Sequence, residues 1–258
     1  MLNFRSASIL MVILAVLVLL LMIFQPQSWW LLIPVATFYL LMLVLGSVDI
    51  RSGFYLQAQF KGDTSEKIVT LTFDDGPDPV NTPKILEILE KYHVPATFFV
   101  VGHKARQYED LLMLIDQNGH LIGNHSFSHA FFFDLFGRKK MEQDLLKAEG
   151  IIKKLTGRRP LLFRPPYGVT NPTVAKVVKK LGYKVIGWSA RSLDTTIKDA
   201  EKIAGRVIGK LHPGAVILMH DTQNITPAAL EKVINKAKDK GYRFVGLEEM
   251  FSFEAYEN

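Results

Sequence analysis

The 258-residue sequence contains no cysteine. Disulfides, thiolate nucleophiles and thiolate metal sites are therefore excluded, and any metal must be held by histidine or carboxylate. No stretch combines arginine with aromatics in the manner of a nucleic-acid interface. The 31 Lys and Arg outnumber the 25 Asp and Glu, for a net charge of +6 and a pI of about 9.3. That excess reads as a solvated, lysine-rich surface; the sharper alternative is a bias toward an anionic membrane or cell wall. Charge itself is missing from residues 6–24 and 31–48. Each run is close to the ~20 residues that a helix needs to cross a bilayer. Between them lies QPQSWW, with Trp29 and Trp30 where interfacial aromatics belong. The pattern predicts a transmembrane helical hairpin over residues 1–49, with helices at 6–24 and 31–48. The rival is a cleaved signal peptide followed by one anchor or buried helix. Against it, the first run is long for a signal core and no small-x-small cleavage site follows cleanly. A hairpin leaves the N-terminus and the rest of the chain on one side. Arg5 and Arg51 flank it and the turn is uncharged, which leans, on two residues, toward a cytoplasmic domain.

Residues 50–65 are polar, with Gly53, Gly62 and Asp63, and read as a linker. From 66 to 258 short apolar runs alternate with longer amphipathic ones. Strands are predicted at 68–73, 96–101, 121–125, 161–165, 184–189, 215–220 and 242–247. Helices are predicted between them, including 82–93, where Ile85, Leu86, Leu89 and Tyr92 keep helical spacing, and 139–157, which Gly157 ends. Repeated strand–helix units with continuously apolar strands imply a parallel α/β sheet covered on both faces. About seven units suit a distorted (β/α) barrel, with an open doubly wound sheet as the alternative.

The reactive residues collect at C-terminal strand ends, where parallel barrels carry their active sites. Asp74 and Asp75 follow the first strand in TLTFDDGP, His125 ends the third, Arg164 ends the fourth, Trp188 lies near the end of the fifth, and His220 and Asp221 end the sixth. Two adjacent carboxylates at a buried strand end repel each other and are costly to desolvate. In GNHSFSHA, His125 and His129 are spaced i,i+4 and can face one point. Two histidines and one carboxylate make a three-ligand site with an open position. That suits catalytic zinc, with iron, cobalt or nickel as alternatives. The cation offsets the repulsion: one aspartate binds it and the other serves as general base toward a water it activates. Spacing alone does not say which does which. His220 is placed to protonate a leaving amine or to polarise an oxyanion. In RPPYG, Pro165 and Pro166 stiffen the loop, Arg164 can pair with a carboxylate, and the Tyr167 backbone N–H can face an oxyanion.

In this order, TFDDGP, HSFSH, RPPYG and LMHD resemble the motif set of the polysaccharide deacetylases, carbohydrate esterase family 4, over roughly residues 66–250. The resemblance implies a distorted (β/α) barrel and metal-dependent removal of N-acetyl groups from glycans. By position, Asp74 resembles the catalytic base, Asp75, His125 and His129 the metal ligands, and Arg164 the partner of the base. Tyr167 resembles the oxyanion donor, His220 the acid, and Leu218 a wall of the acetyl pocket, with Pro166 and Trp188 beside the substrate. The family often places Asp-Trp after the fifth strand, with the aspartate orienting the acid. Here the stretch is WSARSLDTT, so Asp194 is given that role and Thr195 stands where the tryptophan would be. His103 matches no motif and is read as surface or structural.

The expectation is a membrane-anchored hydrolase of amide bonds in N-acetylated glycans, in the bacterial cell membrane. A domain facing outward would act on peptidoglycan or a surface polysaccharide. One facing inward would act on a lipid-linked sugar. A glycosidase fits poorly, because its two carboxylates must stand roughly 5 Å or more apart across the scissile bond. A catalytically dead glycan-binding protein should have lost a ligand, the base or the acid, and none is missing.

Overall fold

The computed structural model describes residues 3–257. Two apolar helices, α1 (Phe4–Phe24) and α2 (Leu32–Val48), are joined by the 3-10 turn Pro26–Leu31. α1 and the continuous helical run Pro26–Val48 are long and apolar enough to cross a membrane, and little of either is buried in the protein. Ser8 Oγ and the Tyr39 hydroxyl, 2.8 Å apart, tie the two helices together.

The rest of the chain builds a curled sheet. Its strands are β1 (Ile68–Asp74), β2 (Ala96–Val100), β3 (Leu121–Asn124), β4 (Arg159–Pro160), β5 (Leu162–Phe163), β6 (Lys184–Val185), β7 (Ala190–Arg191), β8 (Ala215–His220), β9 (Arg243–Phe244) and β10 (Tyr256–Glu257). The order is β6-β5-β3-β2-β1-β8-β7, all parallel, and β9 pairs with the start of β1. A short antiparallel ribbon of β4 and β10 stands apart. The two edges, β6 and β7, are consecutive in the chain. Five residue steps from Val185 to Ala190 reach roughly 17 Å at most. Seven strands laid flat would separate the edges by roughly 29 Å. The sheet must therefore curl until its edges approach, which gives the distorted (β/α) barrel and rules out an open sheet. Of the predicted strand 184–189 only Lys184–Val185 forms one, because the residues after it cross the gap between the edges.

Residues 59–62 fill that gap. Gln59 N donates to Val185 O at 2.8 Å, Gly187 N donates to Gln59 O at 2.8 Å, and Gly62 N donates to Gly214 O at 2.8 Å. A stretch that reads as polar spacer thus completes the barrel wall.

The helices are α3 (Asn81–Tyr92), α4 (Gly102–Gln107), α5 (Glu109–Gln117), α6 (Arg138–Thr156), α7 (Pro172–Leu181), α8 (Ala200–Ile208), α9 (Thr226–Asp239) and α10 (Leu247–Phe251). In β1, alternation sends Val69, Leu71 and Phe73 into the layer between sheet and helices, where Ile85 and Leu89 of α3 and Val233 of α9 meet them. Thr70, Thr72 and Asp74 take the other face, inside the barrel, together with Phe99. The hairpin is fastened to the barrel near one loop: Thr170 N donates to Ser47 O at 3.0 Å, and Ser47 Oγ donates to Thr170 O at 2.6 Å. Thr170 directly precedes Asn171, whose side chain caps α7 through Thr173 N and Val174 N.

Candidate active site

Asp74, Asp75, His125, His129, Tyr167, Trp188, Leu218 and His220 line one cavity of about 250 Å3 at the C-terminal strand ends. Gly168, Arg191 and Thr195 line it as well. The parallel register explains the meeting: Asp74 lies opposite His220 on one neighbour and Phe99 on the other.

Arg164 is wholly buried inside the barrel. Its Nη1 donates to Asp74 Oδ1 at 2.6 Å and to Thr72 Oγ1 at 2.8 Å; Nε and Nη2 donate to the carbonyls of Ile186 and Gly187. The guanidinium also lies 4.2 Å from the Phe99 ring centroid. A buried cation so fully bonded is a fixed counter-charge, and it holds one Asp74 oxygen in place.

Asp75 turns the other way. Its φ of 78° is left-handed, and its Oδ1 stands 3.4 Å from His125 Nε2 and 3.2 Å from His129 Nε2. These three donor atoms lie within 4.8 Å of one another. Ligands placed ~2.1 Å from a tetrahedral ion are about 3.4 Å apart, so the spacing fits a single cation. His125 Nδ1 is 2.8 Å from Arg164 O, which, with Nδ1 donating, turns the Nε2 lone pair inward. Burial, aided by the charge of His125, pushes His129 down to about 4, while at His125 burial is outweighed by Asp74 and Asp75, which raise it above the ordinary histidine value. Burial pushes the Asp75 carboxyl up, but the imidazoles of His125, His220 and His129 outweigh it and hold the group below the usual carboxylate range.

On the opposite wall, Asp194 receives four bonds. His220 Nδ1 is 2.7 Å from Oδ1 and His220 N donates to Oδ2 at 2.8 Å, while Ser192 Oγ and Thr226 Oγ1 donate at 2.9 and 2.7 Å. Burial works against the charge of the His220 ring, but Asp194 overcomes it and raises its pKa above the ordinary histidine value. Nε2 is left for the cavity.

The Tyr167 backbone has φ 59° within the turn Pro166–Gly168. Pro166 is buried in that turn and does not line the cavity, whereas Trp188 does, packed so closely over Gly168 that a Cβ there would strike the indole. Of seven non-glycine residues with positive φ among the described residues, Asp75, Ser126, His129, Tyr167 and Leu193 belong to the loops of this site. Such conformations cost about 1–3 kcal/mol each and collect where side chains must be aimed. His103 lies outside the cavity, its Nδ1 3.0 Å from the Phe127 carbonyl.

Several residues are given no role by the motif reading. Thr72 has a readable signal, since it stands two residues before Asp74 on the same face. Ser192 and Thr226 hold Asp194, and Lys104 Nζ donates to Asp75 O at 2.8 Å, without any sequence signal. Asp221 is wholly enclosed beneath Gly76, accepts from Thr82 Oγ1 at 2.6 Å, and is pushed up to about 7 by burial.

The arrangement joins a three-donor cation cradle, a carboxylate fixed by a buried guanidinium, and an imidazole on the far side held by its own carboxylate. Around one cavity these can polarise a carbonyl, take a proton from water and return one to a leaving group.

Known proteins share the pattern. The family profile described as polysaccharide deacetylase matches residues 61–186. A peptidoglycan-N-acetylglucosamine deacetylase of Bacillus cereus is 36% identical over 195 residues, covering 74% of this chain and 91% of that protein. The crystal structure of the Bc1960 peptidoglycan N-acetylglucosamine deacetylase superposes with a TM-score of 0.73 at 36% identity, covering 77% of this chain and 94% of the other. A family 4 acetyl xylan esterase from Clostridium thermocellum, in complex with a cobalt ion, has a TM-score of 0.67 at 36% identity, covering 72% of this chain and 91% of the other. With barrel, motif order and these likenesses in agreement, the chain belongs to the polysaccharide deacetylase family, carbohydrate esterase family 4, and is a hydrolase of amide bonds.

Proposed function

We propose that this chain hydrolyses the N-acetyl groups of glycans, with N-acetylglucosamine units of peptidoglycan as the first substrate class. Acetate leaves and a free amine remains on the sugar. The hairpin α1–α2 anchors the enzyme in the bacterial cell membrane. In this reading Asp75, His125 and His129 hold a divalent cation, zinc foremost, with cobalt, nickel or iron as alternatives. When bound, that cation supplies Lewis acidity toward water and the acetamide carbonyl.

Asp74 accepts the proton of the attacking water, and Arg164 holds that carboxylate in place. The Tyr167 N–H faces the oxygen of the tetrahedral intermediate. His220, oriented by Asp194, gives a proton to the departing nitrogen as the C–N bond breaks. Leu218 and Trp188 enclose the acetyl methyl. The single observation that carries the proposal is geometric: base candidate, cation cradle and imidazole–carboxylate pair border the same cavity.

The test uses the full chain in lipid nanodiscs, stripped of metal and then supplied with Zn²⁺ or Co²⁺. Acetate release is followed from N-acetylglucosamine oligomers and peptidoglycan fragments, beside Asp74→Asn. Metal-restored release that Asp74→Asn abolishes supports the proposal. A folded, metal-loaded protein that releases acetate from none of these substrates refutes peptidoglycan-type glycans as the substrate class.

A further inference from the structure

Trp188 forms a wall of two neighbouring hollows. The same indole and Arg191 also line a groove of about 340 Å3 that runs to the base of the hairpin, with Val48 and Arg51 on one side and Arg206 and Lys210 on the other. Asp49 is the single acid in its lining, and Arg51 neutralises it through two bonds of 2.8 and 3.0 Å. Arg191, Arg206 and Lys210 enter no ion pair among the described residues. Arg206 Nε donates to the Arg191 carbonyl at 3.1 Å, and the Arg191 guanidinium lies 5.9 Å from the Trp188 ring. Two of the three heads are therefore positioned rather than freely solvated.

A neutral N-acetylated sugar offers these cationic heads only hydroxyl and carbonyl acceptors, and no counter-charge. A phosphate does, because guanidinium and ammonium groups make short charge-assisted bonds to its oxygens. The groove's ends select which phosphate. One end is Val48, the last residue of α2, at headgroup depth if the hairpin spans the bilayer. At the other end Trp188 and Arg191 are shared with the cavity proposed to hold the acetamide. A ligand filling both has a lipid tail, a phosphate and an N-acetylated sugar, in that order. We infer that the groove binds the phosphate of a lipid-linked N-acetylated sugar and so presents that sugar to the site. The inference rests on the deacetylase reading of the site, and it favours a membrane-held sugar over assembled peptidoglycan as the substrate.

The test compares the full chain in zwitterionic nanodiscs with the Arg206→Glu/Lys210→Glu variant; neither residue lines the catalytic cavity. One substrate is farnesyl-phosphate-linked N-acetylglucosamine, and the other is a neutral N-acetylglucosamine tetramer. Loss of the charge-assisted contacts should lower kcat/KM for the phosphate-linked sugar about 10–100-fold, mainly through KM. Turnover of the tetramer should not change. The single variants Arg206→Gln and Lys210→Gln should show part of the effect, which guards against a misfolded double variant. Equilibrium binding of farnesyl phosphate, read without turnover, should weaken in parallel. If both substrates lose rate equally, or neither does, the inference is overturned. It is also overturned if anionic nanodisc lipids block the two substrates alike, since the groove would then be a headgroup contact. Should the wild type release acetate from neither substrate, farnesyl phosphate binding still judges the groove while the deacetylase reading fails on its own.

Discussion

Arg164 reaches Asp74 and Thr72 through the same nitrogen, at 2.6 and 2.8 Å, from a position with no solvent exposure. A buried ion pair contributes little net stability when intact, but removing one partner leaves the other charge stranded. Arg164→Ala should therefore lower unfolding stability by about 3–5 kcal/mol, measured by chemical denaturation, and should abolish acetate release. Arg164→Lys keeps the charge but loses the fork that also serves Ile186 and Gly187, so activity should fall while the fold is largely kept.

The His220–Asp194 pair sets a pH dependence. Against the opposing effect of burial, Asp194 raises the His220 pKa and so favours the protonated ring that donates to the leaving nitrogen. The rate should be high below this pKa and fall as pH rises through it. Asp194→Asn removes the charge, so the alkaline limb of the kcat profile should move to lower pH. The maximal rate should drop about 10²–10⁴-fold, as expected when a positioned proton donor is lost.

The three donors around Asp75 predict metal-linked stability. Chelation should leave a folded barrel, because the hydrophobic clusters that hold the sheet to its helices include none of the ligands. Adding Zn²⁺ should then raise the melting temperature; at a concentration about 100-fold above Kd the linkage is ~2.7 kcal/mol. In His125→Ala and His129→Ala that metal-dependent rise should be lost, as differential scanning fluorimetry would report. An equal rise in both variants would remove these residues from the ligand set.

His120 offers a stability test away from the site. Its ring is buried 5.6 Å from Phe98, Nδ1 has no partner, and burial pushes it down to about 4 from 6.5. Between those values the unfolded chain takes up a proton that the folded chain refuses. Stability should therefore fall as pH drops through this window, by roughly 2–3 kcal/mol in all. His120→Phe should flatten that part of the curve, measured by urea denaturation at several pH values.

Much of the site was readable because its residues stand at strand ends, and strand ends are marked by an abrupt change from β-branched runs to polar residues. TLTFDDGP and ILMHD both show it, and the parallel register then brings Asp74 opposite His220. Helices 82–93 and 139–157 lie within one residue of α3 and α6, since their apolar spacing and a left-handed Gly157 leave little freedom. The reading failed where tertiary contacts override local pattern. KVIGWS has the composition of one strand, yet only its first two residues pair as β6 and the rest must bridge to the other sheet edge. Residues 59–62 look like spacer because Gln59 and Gly62 contribute backbone bonds, not apolar side chains, and a periodicity argument is blind to backbone pairing. Arg191 was missed for a related reason: nothing local announces that an edge-strand arginine will border two cavities.

The backbone bonds of residues 59–62 also bear on how the molecule comes into being. The strip that seals the barrel follows α2 directly and is synthesised before any strand it pairs with. It waits, tethered, for Val185 and Gly214 to arrive from 120 or more positions downstream. Closure is therefore the late, long-range event of folding, with the entropy of a very large loop to overcome. A shortened chain beginning at residue 66 would keep every motif residue yet leave unpaired backbone along Val185 and Gly187, an open seam where one copy could zip onto another.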